Sequence, residues 1–167
     1  MIELLLLVLG LLIFIGGLSS ASVQDLEEGI VEDETTLFLL RFAAFLVVIL
    51  ALLCQQLAVL GVSLMFGVLF FLVGYLGHAL GLAGGADVVV AGSIGLMLGL
   101  LSAYGVFPFA EPWMVPVVFM VFLGLVCLPV FVVMIVFQVD RVRFIPVLFV
   151  SFVLTVCSLF WFPGGDI

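Results

Sequence analysis

The sequence predicts an all-α membrane protein, a bundle of about six transmembrane helices. Of its 167 residues, 68% are hydrophobic and only 8% are charged, whereas roughly a quarter of the residues of a soluble domain are charged. The apolar residues also fall into runs near the ~20 residues that a helix needs to cross a bilayer. Six such runs with short connections use the whole length. We therefore expect a single transmembrane domain over residues 1–167, with the lipid bilayer as its solvent.

Turn formers or charged residues separate the apolar runs. The first run carries Glu3 where a signal peptide would be basic, so we interpret it as a retained helix. The adjacent Gln55 and Gln56 indicate a tight turn, and a glycine cluster around Gly84 interrupts the following apolar stretch. The predicted helices are residues 2–23, 37–53, 57–82, 88–103, 113–139 and 144–162.

Charged residues are few and unevenly distributed. The chain has three basic residues, all arginine, and eleven acidic ones, giving a formal charge of −8. This balance excludes nucleic acid as a partner and favours a cationic one. We predict an acidic loop over residues 24–34, between the first two helices. Six of the acids lie there: Asp25, Glu27, Glu28, Glu32, Asp33 and Glu34.

The arginines predict the orientation in the membrane. Six crossings place the acidic loop and the loop before Asp87 on one side. The loop with Arg141 and Arg143 falls on the same side, and Arg41 lies close to it. Arginine and lysine mark the cytoplasmic side of membrane proteins. We therefore expect Asp25 and Asp87 to face the cytoplasm, with both termini outside.

Asp25 and Asp87 lie at the membrane ends of predicted helices. An ionisable group beside the hydrocarbon region is costly and is by default a functional candidate. Two carboxyl groups held together do not both ionise easily. The ionised one can take a proton from water while the protonated one polarises a peptide carbonyl, as in aspartic proteases. Gly84 and Gly85 leave room for the backbone of an extended peptide.

Simpler interpretations exist for the same residues. Asp87 can be the N-cap of the fourth helix, and Asp25 a solvated acid of the loop. Ala91, Gly95 and Gly99 recur at intervals of four residues, which favours close helix packing. A small cation or proton transporter or channel that uses the two aspartates is the alternative function.

The sequence predicts neither a metal site nor a cofactor. His78 is the single histidine, and we interpret it as a packing or interfacial residue. The three cysteines have no metal-ligand spacing.

At the two aspartates the sequence resembles the type IV prepilin peptidases and archaeal preflagellin peptidases. Residues 84–88, Gly-Gly-Ala-Asp-Val, are similar to the GxGD motif of that family. Residues 21–26 around Asp25 are similar to its other aspartate motif. The resemblance implies that Asp25 and Asp87 are the catalytic pair. Gly84 and Ala86 then correspond to the two motif glycines, with alanine replacing the second.

The resemblance also implies an activity and a partner. It predicts a membrane-embedded aspartic endopeptidase that cleaves basic leader peptides from pilin-like or archaellin-like precursors at the cytoplasmic face. The acidic loop suits such a basic leader electrostatically. Family members usually carry basic residues soon after each aspartate, whereas Glu27 and Glu28 follow Asp25 here. A catalytically degenerate member is therefore a further alternative.

Overall fold

In the residues that the structure describes, the chain folds as six α-helices. The computed structural model describes residues 2–104, 114–137 and 144–161, and within these ranges no strand is formed. The prediction of an all-α bundle of about six helices is confirmed. The helices are α1 (Ile2–Glu28), α2 (Asp33–Leu53), α3 (Leu57–Ala79), α4 (Gly85–Ala103), α5 (Met114–Phe137) and α6 (Phe144–Trp161).

Length and apolar surface make this a multi-pass membrane protein. Helices α1 to α4 are long and apolar enough to cross a bilayer, and α5 and α6 are apolar over the shorter stretches Met114–Val130 and Phe144–Ser158. Large apolar side chains such as Phe45 and Leu57 are exposed on the outside of the bundle. Lipid, rather than water, is the solvent that covers such a surface.

The connection between α1 and α2 is shorter than predicted. Helix α1 continues to Glu28 and α2 begins at Asp33, so the predicted acidic loop over residues 24–34 is wrong at both ends. Gly29 ends α1 in the left-handed region, with φ of 69°, and its N–H donates to the Asp25 carbonyl oxygen at 3.1 Å. Asp33 then begins α2, where the positive end of the helix dipole favours an acid.

Helix α4 is the centre of the bundle. Every residue from Val90 to Ser102 is buried, and α4 contacts α2, α3, α5 and α6. Its closest partner is α3. A Cβ added at Gly95 would lie 2.5 Å from the Phe66 carbonyl oxygen, and one at Gly99 would lie 2.6 Å from the Ser63 Cα. The prediction that these glycines serve helix packing is therefore confirmed.

The other helices are arranged around this centre. Helix α1 packs against α2 and α6 and has little direct contact with α4. Its Phe14 ring meets Phe152 of α6 edge-on, with centroids 5.5 Å apart. Helix α5 packs mainly against α6 and touches α3 through Phe119 and Phe70, whose centroids are 5.0 Å apart. This arrangement leaves a space enclosed by α3, α4, α5 and α6.

The two other helix connections within the described residues differ in the residue that reverses the chain. At the predicted glutamine turn, Gln55 adopts a φ of 52°, and the Gln56 N–H donates to the Ala51 carbonyl oxygen at 3.1 Å. Between α3 and α4, Gly81 takes the equivalent left-handed position with φ of 74°. There the Leu82 N–H donates to the Gly77 carbonyl oxygen at 2.9 Å. Both are the hydrogen-bonding pattern of a Schellman C-cap.

Candidate active site

Asp87 lies in the first turn of α4. Gly84 is the N-cap, and its backbone N–H donates to Asp87 Oδ2 at 2.6 Å. The interpretation of Asp87 as the N-cap itself is therefore wrong. Three positions into the helix, an acidic side chain is long enough to reach back to the N-cap amide. This bond fixes the carboxyl group over the start of α4, where the side chain is buried.

Asp25 lies in the last turn of α1 and is also buried. The alternative of a solvated loop acid is therefore wrong. One helical turn earlier, the buried Ser22 hydroxyl donates to the Leu18 carbonyl oxygen at 2.8 Å. This bond keeps the serine within its own helix. The burial of Asp25 follows from the extension of α1, because the helical rotation turns this side chain towards the bundle interior.

The structure brings the two aspartates together. Both line one cavity of about 1020 Å³, and the two charges lie close enough to repel each other. Asp25 reaches the cavity from α1 and Asp87 from α4, two helices that share little direct contact. Their proximity is therefore a property of the tertiary arrangement.

The glycine segment borders the same cavity. Gly84, Gly85 and Ala86 all line it. A Cβ at Gly85 would meet no atom within 4 Å, and one at Gly84 would meet only Asp87 Oδ2, at 3.4 Å. The methyl group of Ala86 is partly buried against the hydrophobic core. Beside Asp87 there is consequently open space along the backbone of the α4 start.

The rest of the cavity wall is mostly apolar. Helix α3 contributes Phe70, α5 contributes Met120 and α6 contributes Leu148, and the short loop after α1 contributes Val31. The cavity thus has a carboxylate end beside an apolar wall. Such a site can hold an apolar segment while two carboxyl groups act on a water molecule and a polar bond at its end.

Two neighbouring residues contribute to the polar end in ways that the sequence did not indicate. Asp33, at the start of α2, also lines the cavity. His78, near the end of α3, lies close enough to Asp87 for an electrostatic interaction. Among residues 2–104, 114–137 and 144–161, no three histidine, cysteine or acidic side chains cluster as metal ligands would.

Comparison with known proteins gives one result. The model of the type IV leader peptidase family matches residues 12–132, more than half of the chain. This stretch includes Asp25, the glycine segment and Asp87. No curated protein and no solved structure matches the chain significantly. On the strength of the family match, the chain belongs to the type IV leader peptidase family.

Proposed function

We propose that this leader peptidase is an aspartic endopeptidase whose catalytic pair is Asp25 and Asp87. Its substrates would be pilin-like or archaellin-like precursors with basic leader peptides. The observation that carries the proposal is the placement of two buried carboxyl groups in the wall of one cavity. Burying acids in a membrane protein is costly, and function is the usual reason for it.

The chemistry uses the pair as a unit. The ionised carboxylate accepts a proton from a water molecule, whose oxygen then attacks the carbonyl carbon of the scissile peptide. The protonated carboxyl group donates its hydrogen to the carbonyl oxygen. The tetrahedral intermediate collapses when the C–N bond breaks: the carboxyl group protonated in the first step gives its proton to the leaving nitrogen, and a hydroxyl group of the intermediate returns a proton to the other carboxylate. Two carboxyl groups held close together do not both ionise easily, and a singly protonated pair is what this sequence of steps requires.

The glycine segment gives the substrate backbone access to the pair. A scissile peptide must lie extended, with its carbonyl group beside both carboxyl groups. The open space beside Gly84 and Gly85 allows a peptide chain to approach Asp87 without a side-chain obstruction. Ala86 adds one methyl group that is partly buried in the core, so the replacement of the second motif glycine leaves this approach open.

The cavity also suits a two-part substrate. Its wall is apolar along α3, α5 and α6, so it can cover apolar residues on one side of the scissile bond. On the other side, the acids Glu27, Glu28 and Glu32 are exposed around the short loop that borders the cavity. A chain with a basic leader followed by an apolar segment has the matching order of properties.

We also propose that the end of the bundle with the aspartates faces the cytoplasm. Arg41 supports this orientation because it lies in the same half of α2, ~12 Å from Asp33 along the helix axis. Its side chain is exposed and long enough to extend towards the headgroups. Arg141 and Arg143, on which the orientation predicted from the sequence also depends, lie outside the described residues.

Cleavage of a precursor tests the proposed function. The protein would be co-expressed with precursors that carry basic leaders, and the precursor size would be followed on a gel. We expect cleavage by the wild type and by Glu3→Gln, a variant at the opposite end of α1. We expect none by the double variant Asp25→Asn/Asp87→Asn. Absence of cleavage by the folded wild type would contradict the proposal and lead to ion-flux measurements in vesicles.

The exposed acids give a separate prediction about recognition. We expect the triple variant Glu27→Gln/Glu28→Gln/Glu32→Gln to raise KM for a basic leader by about tenfold. Each exposed charge pair contributes little alone, so the three losses must add to give this effect. The increase in KM with salt should also become weaker in this variant. Steady-state cleavage of a synthetic precursor at several salt concentrations would measure both effects. A KM equal to that of Glu3→Gln would show that the acids do not bind the leader.

A further inference from the structure

One peptide unit connects His78 with Asp87. The His78 Nδ1 atom lies 3.0 Å from the Ala83 carbonyl oxygen, and the Gly84 N–H donates to Asp87 Oδ2 at 2.6 Å. That carbonyl group and that N–H belong to the same peptide bond. Because a carbonyl oxygen can only accept a hydrogen bond, Nδ1 must carry the hydrogen and act as the donor. The two bonds therefore form a chain from the imidazole to the carboxyl group.

The peptide unit transmits the effect of one bond to the other. A peptide group is a planar, conjugated unit, so a hydrogen bond to its oxygen polarises its N–H as well. Chains of hydrogen bonds strengthen one another in this way, by roughly 10–30% per bond. The bond from Gly84 to Asp87 is thus stronger and better directed while His78 holds the Ala83 carbonyl group.

The surrounding backbone leaves the Ala83–Gly84 peptide with few restraints of its own beyond the turn at Gly81. Gly81, in a left-handed conformation, precedes the Ala83–Gly84 peptide. Gly84 is part of that peptide, and Gly85 follows it. Glycine restricts backbone rotation least of all residues. The loop from residue 80 to residue 84 is also largely exposed, so core packing does little to hold it. The imidazole supplies a side-chain anchor for this segment.

We propose that His78 is a positioning residue for the peptidase, acting on Asp87 through the Ala83–Gly84 peptide. This inference rests on the proposed catalytic role of Asp87. His78 is exposed and does not itself line the cavity. Its contribution is to fix the orientation of the carboxyl group, so its loss should lower the rate of the chemical step more than substrate binding.

The decisive variants separate hydrogen bonding from charge. Asparagine places an N–H donor the same number of bonds from Cα as Nδ1, whereas leucine removes the donor and glutamine moves it one bond further away. We expect His78→Leu to lower kcat by about tenfold, with KM within about twofold of the wild type. We expect His78→Asn to restore most of the lost kcat. Tyr75→Leu, one turn earlier on an exposed part of α3, is the control and should retain wild-type activity.

Each outcome of this experiment bears on one claim. The assay uses the purified full chain in lipid nanodiscs with a synthetic precursor, and Asp87→Asn is measured beside the His78 variants. If Asp87→Asn is inactive but His78→Leu has the wild-type kcat, the inference about His78 is overturned and the proposed function stands. If His78→Asn is as slow as a folded His78→Leu, the hydrogen-bond role is likewise overturned. If Asp87→Asn is active, the proposed function itself fails.

A folding defect in the leucine variant does not end the test. In that case His78→Gln replaces it, because glutamine keeps a polar side chain at this exposed position. The expected result is again a lower kcat for His78→Gln than for His78→Asn at equal KM. Equal kcat values for the two amides and the wild type would overturn the inference.

Discussion

Replacing either Asp25 or Asp87 with asparagine is expected to reduce kcat for precursor cleavage by about 1000-fold or more. Asparagine has nearly the shape of aspartic acid, and its carbonyl oxygen at position 87 can still accept the hydrogen bond from the Gly84 N–H. It cannot accept a proton from water as a base, nor donate one as an acid. The catalytic unit therefore loses its function while the local structure is retained.

The same reasoning predicts the behaviour of a longer acid. Asp87→Glu keeps the charge and, three positions after the N-cap, can still reach the Gly84 amide, but its extra methylene group alters the distance of the carboxyl group from Asp25. We expect a large loss of kcat in this variant too, because both acids must contact the same water and carbonyl group. Single-turnover cleavage with excess enzyme would measure the chemical step directly.

The controls for these variants concern folding and charge. Glu3→Gln removes one negative charge from the same helix as Asp25 but lies 22 residues earlier, ~33 Å along the axis. Its kcat should equal that of the wild type. Size-exclusion profiles in detergent should be identical for all forms. More than about a tenth of the wild-type kcat in either asparagine variant would be too much for a catalytic acid–base pair.

The second large effect concerns the contact between α3 and α4. Adding a single methyl group with Gly95→Ala or Gly99→Ala is expected to destabilise the protein by about 1–3 kcal/mol each. At both positions the new Cβ would meet backbone atoms of α3, the Phe66 carbonyl oxygen at 2.5 Å and the Ser63 Cα at 2.6 Å. Backbone atoms cannot rotate away as a flexible side chain can, so the helices must separate.

A matched glycine gives the opposite expectation. A Cβ added at Gly61 of α3 would meet no atom within 4 Å, so Gly61→Ala should be neutral or stabilise the helix, which alanine favours over glycine. Unfolding in mixed micelles, followed by circular dichroism as denaturing detergent is added, would compare the three variants. Equal stability of Gly95→Ala and Gly61→Ala would mean that α3 and α4 are not in close contact.

The helical fold could be predicted from the sequence because hydrocarbon imposes a simple requirement. In lipid, a backbone must satisfy its own hydrogen bonds, so each long apolar run becomes a helix. The end of α1 could not be located in the same way. Asp25, Glu27 and Glu28 suggest a loop by their charge, although glutamate is a good helix former. Only the left-handed Gly29 ends the helix.

The sequence predicts the acidic residues of the candidate site but not the hydrogen bonds that position them. Asp25 and Asp87 were identified by charge beside apolar runs, and both line the cavity. The hydrogen bond between Gly84 and Asp87 depends on which residue is the N-cap, and both glycine and aspartate occur at that position. The contact from His78 to Ala83 depends on the turn at Gly81. No sequence spacing specifies that turn uniquely.

The two aspartates are carried by helices that share little direct contact, and this has a consequence for how the bilayer affects the enzyme. Helices α2 and α6 each contact both α1 and α4, so the distance between the carboxyl groups depends on how α1 tilts against these two. Tilt is the response of a transmembrane helix to a mismatch between its apolar length and the thickness of the membrane. The acyl-chain length of the lipid is thus expected to change the distance between the two carboxyl groups. Rates measured in vesicles of increasing acyl-chain length should pass through an optimum, even where the thermal stability of the bundle stays constant.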